Sequence, residues 1–364
     1  MILYNLFVMS KLWFLIFLKR LFYIDTVNEN NKIYKKINLL GFCFNYRDLV
    51  KELDFAKNQL SYLEQKTNDL SKENNLLRIF IERSIDIKQV PVAKGNRRKV
   101  QLIKTKLLEL VAYVLKQNNI TFWLDYGTLI GSIRHSGFIP WDDDIDVSFL
   151  KDDYLKLPKI FEDFEKIDEK FKFTYERWNS NIFRFSYLDF CVDFFPFEYI
   201  NKKYETQELA DKFIEKWYKI KELFLTTNPS IDYSKTEDVI SKINYAKQKI
   251  LGKNYYSNPE SEQIIYSPEI KFVCNKCAIL NANNIFPLKE GKFENLLFPV
   301  PNNPIEHLFE HKIYGNPGDV MNFPKISDSG FDHTQSDYEN SNINYDCIYK
   351  ELSDFTENYI KVTK

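Results

Sequence analysis

The sequence predicts an α/β protein in which a long coiled-coil helix precedes the main domain. Apolar residues repeat in heptads between positions 49 and 84, which is the pattern of a coiled coil. After these heptads in the sequence, a helical pattern is followed by short apolar runs that are typical of buried strands. Hydrophobic residues make up 44% of the 364 positions and charged residues 28%, so the chain can bury a core. This length suits one large domain with appendages or two modest domains.

The charge balance and the cysteine content exclude two classes of protein. Lys and Arg number 50 and Asp and Glu 51, so the chain lacks the basic field of a non-specific nucleic-acid binder. We therefore expect no nucleic-acid partner. Five cysteines, an odd number without a framework spacing, argue against a disulfide-stapled secreted domain. They favour a reducing compartment, and we predict a cytoplasmic protein.

Residues 1–24 (MILYNLFVMSKLWFLIFLKRLFYI) form an apolar segment suited to a membrane surface. Lys11 and the pair Lys19-Arg20 interrupt it, so no run reaches the roughly 18–20 apolar residues of a spanning helix. It has neither the basic start nor the small-residue cleavage site of a secretory signal peptide. Three interpretations stay open: a helix packed on its own protein, an in-plane helix on the membrane, and a spanning anchor at the inner membrane. A connecting segment, 25–47, follows.

Residues 48–90 are predicted to form a coiled-coil helix that pairs two copies of the chain. The two seam positions carry Leu53, Leu60, Thr67, Asn74 and Ile81 on one side and Ala56, Leu63, Leu70, Leu77 and Ser84 on the other. A polar Asn74 at the seam is typical of a two-stranded parallel pairing with a fixed register. A long helix packed along its own domain is the alternative. We predict a homodimer through this helix.

The main domain is predicted at residues 97–330, and its first motif is a glycine-rich turn after a strand. A helix over residues 100–118 is followed by a buried strand at Ile120–Leu124. Two glycine–hydroxyl pairs and an arginine come next: Gly127-Thr128, Gly131-Ser132 and Arg134. Free backbone amides at a helix start beside a guanidinium are typical of a phosphate site. The turn is neither a Walker A loop nor a dinucleotide-binding fingerprint.

An acidic run follows, in which carboxylates alternate with β-branched residues. On a strand, Asp144 and Asp146 share one face while Ile145 and Val147 enter the core. Two like charges about 7 Å apart repel, whereas a divalent cation between them is attracted by both. Hard oxygen ligands suit Mg²⁺ or Mn²⁺. A solvated surface turn is the alternative, and the apolar residues between the acids argue against it.

A further acid is expected on a neighbouring strand. Asp193 lies between Val192 and Phe194 in the apolar run Tyr187–Phe197. A carboxyl group in such surroundings is either neutral and buried or bound to a metal ion. We predict that Asp193 faces the metal.

These motifs resemble the signature of the LicD/fukutin-like family, which belongs to the nucleotidyltransferase-fold superfamily. The resemblance rests on Gly127–Gly131, Arg134, Gly137–Asp146, Val192–Pro196 and the block Phe293–Pro324. It covers roughly residues 100–325, with a divergent middle from about 200 to 285. It implies a nucleotidyltransferase-like mixed sheet flanked by helices.

The resemblance also implies an activity and roles for the site residues. Such proteins move a phosphocholine or phospho-alditol group from a CDP-activated donor to a hydroxyl of a cell-surface glycan, such as lipopolysaccharide or capsule. Asp144 and Asp146 would be the metal-binding pair and Asp193 the third carboxylate. The residues expected to hold phosphate oxygens are Gly127, Thr128, Gly131, Ser132 and Arg134. Asp193 would complete the metal site or accept the proton of the acceptor hydroxyl.

Two other functions stay open: a nucleotidyltransferase that makes an activated sugar or alcohol donor, and a non-catalytic coiled-coil scaffold. Cys274 and Cys277, with His307 and His311, are residue types that bind zinc, but the gap of about thirty residues is too long for a finger. We expect buried thiols and ordinary helix histidines there.

The remaining residues, 331–364, are predicted to be a polar tail that ends in a helix. An apolar stripe at helical spacing, formed by Ile348, Leu352, Phe355 and Tyr359, is expected to dock on the domain.

Overall fold

The computed structural model divides the protein into two compact units, residues 1–81 and 82–364. The described residues are 23–29, 32–39, 42–84, 86–176, 182–232, 236–268, 278–311 and 343–364. The apolar segment predicted at 1–24 lies outside them up to residue 22, so its relation to a membrane stays a prediction. Within the described ranges, no helix combines the length and apolarity needed to cross a membrane.

The first unit contains a small antiparallel sheet ahead of the long helix. Its strands are β1 (Tyr23–Glu29), β2 (Lys32–Leu39) and β3 (Phe42–Asn45), in the order β1-β2-β3. These strands occupy the segment predicted only as a connection. The local signal for β2 is the period-two placement of Ile33, Ile37 and Leu39, which differs from the seven-residue repeat of the helix that follows.

The predicted long helix is present as α1 (Tyr46–Ser84), 39 residues without a break. Its seam leucines are largely exposed within the single chain: Leu60 exposes 45% of its surface and Leu77 59%. Apolar residues repeated along one stripe of an exposed helix are typical of a surface that pairs with a second helix. The homodimer remains a prediction.

Lysine at the seam should convert a dimer of the full chain into a monomer. We expect this for Leu70→Lys and Leu77→Lys because pairing would bury the added charges side by side. Light scattering measures the mass in solution. The matched control is Leu76→Lys, which replaces a leucine off the seam that is even more exposed and should stay dimeric. A monomeric wild type, or seam variants that remain dimeric, would refute pairing through this helix.

The second unit is built on one seven-stranded sheet. Its strands are β4 (Phe122–Leu124), β5 (Asp146–Leu150), β6 (Phe171–Glu176), β7 (Ile182–Tyr187), β8 (Phe190–Tyr199), β9 (Gln263–Tyr266) and β10 (Ile279–Asn281). A separate hairpin is formed by β11 (Lys289–Phe293) and β12 (Leu296–Val300). The helices are α2 (Gly95–Gln117), α3 (Tyr126–His135), α4 (Lys151–Tyr154), α5 (Leu157–Phe161), α6 (Phe164–Ile167), α7 (Gln207–Thr227), α8 (Thr236–Leu251), α9 (Ala282–Ile285), α10 (Pro304–Glu310) and α11 (Tyr345–Thr363).

Strand β8 organises this sheet. It pairs in parallel with β5 and antiparallel with β7 and β9, and the sheet order runs β10-β9-β8-β5-β4 with β7 and β6 added beside β8. The almost continuous apolar run of β8 suits a central strand covered on both faces. The predicted fold class, a mixed sheet flanked by helices and preceded by a long helix, is confirmed.

The core forms where α2 and α11 cover the sheet. Leu107, Leu110 and Val111 of α2 are fully buried beside the aromatic residues of β6–β8. Helix α11 packs on α2, with Leu352 fully buried and the rest of its apolar stripe half-buried. A second cluster forms where α7 and α8 pack together around Trp217. The start of β5 and the loop before it contain two of the predicted acids, Asp146 and Asp144, and β8 contains the third, Asp193.

Candidate active site

The acidic loop is fixed by a hydroxyl from the neighbouring helix. Asp146 begins β5, and Asp144, with 45% of its side chain exposed, lies in the loop before it. The buried Thr128 of α3 donates a hydrogen bond from Oγ1 to the carbonyl oxygen of Asp144 (3.2 Å) and accepts one from the amide of Asp146 (2.9 Å). Its hydroxyl therefore holds the backbone that positions both carboxylates.

Asp193 lies directly beside Asp146 and is bound by an arginine. The parallel register of β5 and β8 pairs Asp146 with Asp193, and the antiparallel register of β7 and β8 pairs Asp193 with Arg184. Both oxygens of Asp193 accept hydrogen bonds from Arg184, from Nε at 2.5 Å and from Nη2 at 2.8 Å. Arg184 was not predicted as a site residue. Its only sequence signal is an isolated cation in the apolar strand IFRFSY.

Burial and mutual repulsion make this group of acids costly to ionise. Desolvation, reinforced by the charges of Asp144 and Asp193, raises the pKa of Asp146 well above its usual range. Desolvation also raises the pKa of Asp193 against the opposing effect of Arg184, and it raises that of Asp142 to about 6 with help from Asp144. Lys104 offsets part of the charge, with Nζ 3.7 Å from Asp144 Oδ1. A divalent cation would reverse the repulsion, so Asp144 and Asp146 fit Mg²⁺.

The glycines of the predicted phosphate turn let α3 approach the acidic loop. A Cβ atom on Gly127 would lie 2.7 Å from Asp142 Oδ2, and one on Gly131 would lie 2.4 Å from the carbonyl oxygen of Gly137. Both distances are shorter than van der Waals contact allows. At Gly131 the obstructing atom is backbone, so a larger residue there would push the helix away from the acidic loop.

The other two residues of that turn lie on the buried side of α3. Ser132 donates a hydrogen bond from Oγ to the carbonyl oxygen of Lys292 (2.9 Å) and so joins α3 to β11. Arg134 is 7% exposed on the same helix. The structure therefore places Thr128 and Ser132 in contacts with the protein backbone. Arg134 lies in the last turn of α3 and not beside the amides that begin the helix, where the sequence pattern had predicted it.

The β11–β12 hairpin is held against the site by an acid that was not predicted, Glu294. Glu294 accepts two hydrogen bonds from Arg98 of α2, at 2.7 Å and 2.6 Å, and one from the amide of Phe138 (3.1 Å). Because Phe138 follows α3, this carboxylate links three segments around the glycine-rich turn.

Asp125, His307 and His311 form a fully buried cluster next to the acids. Asp125 precedes α3, and its backbone amide donates to the carbonyl oxygen of Asp146 (3.1 Å). Its Oδ1 lies 3.0 Å from His307 Nε2 and 3.3 Å from His311 Nε2. Burial alone would raise the pKa of Asp125, but the two histidines hold it well below the usual range, while burial lowers the pKa of His311.

This cluster could hold a metal ion, and it is not the set of ligands that was predicted. Within the described part of the chain, the three metal-ligating groups whose atoms lie within 4.8 Å of one another are those of Asp125, His307 and His311. His307 and His311 were expected to be ordinary helix histidines. Cys274 and Cys277 lie outside the described residues.

A polar cavity of about 350 Å³ lies at the other end of β5 and β8. The register pairs Leu150 with Phe197, so Lys151 and Glu198 follow about 17 Å from the Asp146–Asp193 pair, at 3.3 Å per residue. Lys247 binds Glu198 through Nζ and Oε2. Burial lowers the pKa of Lys151 to about 7, an effect that Glu198 opposes and Lys247 reinforces.

Breaking the Asp193–Arg184 pair should destabilise the metal-free protein. Asp193→Asn keeps the shape but removes the charge that faces Arg184, so we expect a loss of about 1–3 kcal/mol in the free energy of unfolding. Arg184→Met combined with Asp193→Asn should recover part of this loss, because no charge is then left unpaired. Denaturant unfolding of both single variants and the double variant gives the coupling energy. Additive effects would show that the two side chains do not interact.

Lys151 should make stability depend on pH in a window above neutrality. Its folded pKa of about 7 is below the ordinary 10.5, so the unfolded chain binds more protons between these values and stability rises with pH there. Lys151→Met should be more stable than wild type at pH 7, and its advantage should shrink towards pH 10. Melting temperatures at both pH values measure this. The control is the exposed Lys253→Met; a Lys151→Met advantage that does not change with pH would contradict the prediction.

Together, these features define a nucleotidyltransferase-type domain: a glycine-rich helix start behind a strand, an acidic pair at the next strand and a third acid beside it. Residues 119–230 match the family model described as LicD/FKTN/FKRP, nucleotidyltransferase domain. This part of the chain is therefore a LicD/fukutin-like domain, and the resemblance in its motifs is confirmed. The block from Phe293 lies outside the match, and its motifs after residue 311 lie outside the described residues.

Curated relatives match parts of the chain. An uncharacterized protein of Rickettsia prowazekii is 31% identical over 160 residues, 43% of this chain and 54% of the relative. The lipopolysaccharide cholinephosphotransferase LicD of Haemophilus influenzae is 39% identical over 86 residues, 24% of this chain and 29% of the relative. The ribitol-5-phosphate transferase FKTN of Mus musculus is 34% identical over 77 residues, 21% and 16% of the two chains. The matches thus span about half or less of each relative.

Proposed function

We propose that the protein is a metal-dependent transferase that moves a phosphocholine or phospho-alditol group from a CDP-activated donor to a hydroxyl of a cell-surface glycan. One observation supports this most: Asp146 and Asp193 are neighbours across a parallel strand pair, with the half-exposed Asp144 beside them. They lie in the region that matches the family. Named relatives transfer a cholinephosphate and a ribitol 5-phosphate. The cysteine content favours action in the cytoplasm, and the apolar residues 1–24 suit the surface of the inner membrane.

In this proposal the carboxylates bind the metal ion and hold the reacting groups. Asp144 and Asp146 would hold Mg²⁺, which when bound supplies positive charge for the donor phosphates. The acceptor oxygen forms a bond to the phosphorus of the transferred group, the bond from that phosphorus to the CMP oxygen breaks, and CMP leaves. Arg134 and the amides that begin α3 would bind phosphate oxygens.

Asp193 has two candidate roles in the transfer. It could be a third metal ligand, or it could take the proton of the acceptor hydroxyl. Arg184 supports either role, because it favours the ionised carboxylate and fixes its orientation. A carboxylate has about four acceptor positions, so two remain after the bonds from Arg184.

A nucleotidyltransferase that makes the activated donor is the alternative, because the matching family model is described as a nucleotidyltransferase domain. The two reactions give different products: transfer from a CDP-linked donor releases CMP, whereas donor synthesis releases pyrophosphate. A scaffold without catalytic activity would release neither. Incubation with CDP-choline, CDP-ribitol and CDP-glycerol in the presence of a glycan extract, with both products measured, distinguishes the three.

Asp144→Asn and Asp146→Asn should reduce CMP release to a few per cent of wild type or less, since each removes a proposed metal ligand. Each variant should keep the fold, and its metal-free form should melt at or above the wild-type temperature, because one repelling charge is gone. The control is Asp189→Asn, an exposed acid in the turn between β7 and β8, which should keep full activity. Substantial activity in either site variant would remove that residue from the metal site.

A further inference from the structure

We propose that Asp125, His307 and His311 bind a zinc ion at a site separate from the Asp144–Asp146 pair. This proposal does not rest on the proposed transfer activity. All three side chains are fully buried. His307 and His311 are four residues apart on α10 and its C-terminal cap, so they lie on one face of the helix. Asp125 comes from the junction of β4 and α3, more than 180 positions earlier in the chain.

Hydrogen bonds alone cannot account for the three contacts in this cluster. Asp125 Oδ1 lies 3.0 Å from His307 Nε2 and 3.3 Å from His311 Nε2, and the two Nε2 atoms are 3.1 Å apart. Each Nε2 carries at most one proton, which points in one direction, and an ionised carboxylate oxygen carries none. At most two of the three contacts can therefore be hydrogen bonds. A cation between the atoms attracts all three lone pairs at once.

The separations between these three atoms fit three corners of a tetrahedral zinc site. Zinc binds imidazole nitrogen and carboxylate oxygen at about 2.0–2.2 Å, which places neighbouring ligand atoms of a tetrahedron roughly 3.3 Å apart. The observed separations of 3.0, 3.1 and 3.3 Å lie close to this value. Two imidazoles and one carboxylate also suit zinc better than Mg²⁺, which prefers oxygen ligands.

Surrounding groups hold two of the three ligands in place. The hydroxyl of Tyr266 lies 2.5 Å from His311 Nδ1, the ring nitrogen that faces away from the cluster. The other oxygen of Asp125, Oδ2, accepts hydrogen bonds from Ser148 Oγ (2.7 Å) and Trp123 Nε1 (3.2 Å). Outer contacts of this kind orient metal ligands and raise their affinity.

The position of the cluster gives the ion a structural role. Zinc would join α10 to the start of α3, and Asp125 donates its backbone amide to the carbonyl oxygen of Asp146. Metal binding would therefore fix the junction that supports the acidic loop. Because the site forms only in the folded chain, zinc should also stabilise the fold.

The test is the metal content of the purified full-length chain. We expect about one zinc per chain to survive dialysis, and cobalt that replaces it to show the intense visible absorption of a tetrahedral complex. His307→Ala and His311→Ala should lower zinc content about tenfold or more, whereas His135→Ala, whose ring contacts the carbonyl oxygen of Ile87, should retain it. His311→Cys exchanges one zinc ligand for another and should restore binding, with a thiolate-to-cobalt absorption band.

The outcomes separate this site from the proposed function. Asp144→Asn should lose transfer activity but keep its zinc, and excess Mg²⁺ should not displace the zinc. If the alanine variants do not fold, cobalt titration of the chelator-treated wild type still shows whether the chain binds the metal at a tetrahedral site. A folded wild type that binds neither zinc nor cobalt would show that the three residues form a hydrogen-bonded cluster only.

Discussion

The parallel pairing of β5 with β8 is the constraint on which the rest of the site depends. Its register places two carboxylates, Asp146 and Asp193, side by side where desolvation and repulsion both oppose their charge. Neighbouring contacts make this arrangement tolerable: Arg184 binds one acid, Lys104 approaches the loop, and Thr128 holds its backbone. The sheet therefore creates a strongly negative, partly buried site whose charge would attract a cation.

The contacts around this point make the acidic loop a rigid part of the domain. Helix α3 touches the loop through glycines, because no Cβ fits between Gly131 and the carbonyl oxygen of Gly137. The same helix joins the β11–β12 hairpin through Ser132. Groups held in this way need little reorganisation when a charged substrate binds, which is the general advantage of a preorganised polar site.

Sequence patterns predicted the fold class and located the acids, because alternation and glycine clustering are local signals. They did not predict which side chains contact these acids. Arg184 meets Asp193 across a hairpin, and His307 meets Asp125 across 182 positions, so only the folded sheet brings them together. Thr128 shows the same limit: its type and position were visible, but the backbone atoms that its hydroxyl contacts were not. The strands β1–β3 were not predicted, because their short alternating pattern is a weaker signal than the heptad repeat that follows them.

The docking of α11 on α2 has a consequence for synthesis of the chain. Leu352 completes the cover over a helix that begins some 250 residues earlier, so the apolar face of α2 stays partly uncovered until residues 345–363 have left the ribosome. Contacts this distant in sequence close late and slowly. During that interval the nascent domain exposes surface that favours aggregation or chaperone binding. Helix α11 thus determines when the core of this domain is complete.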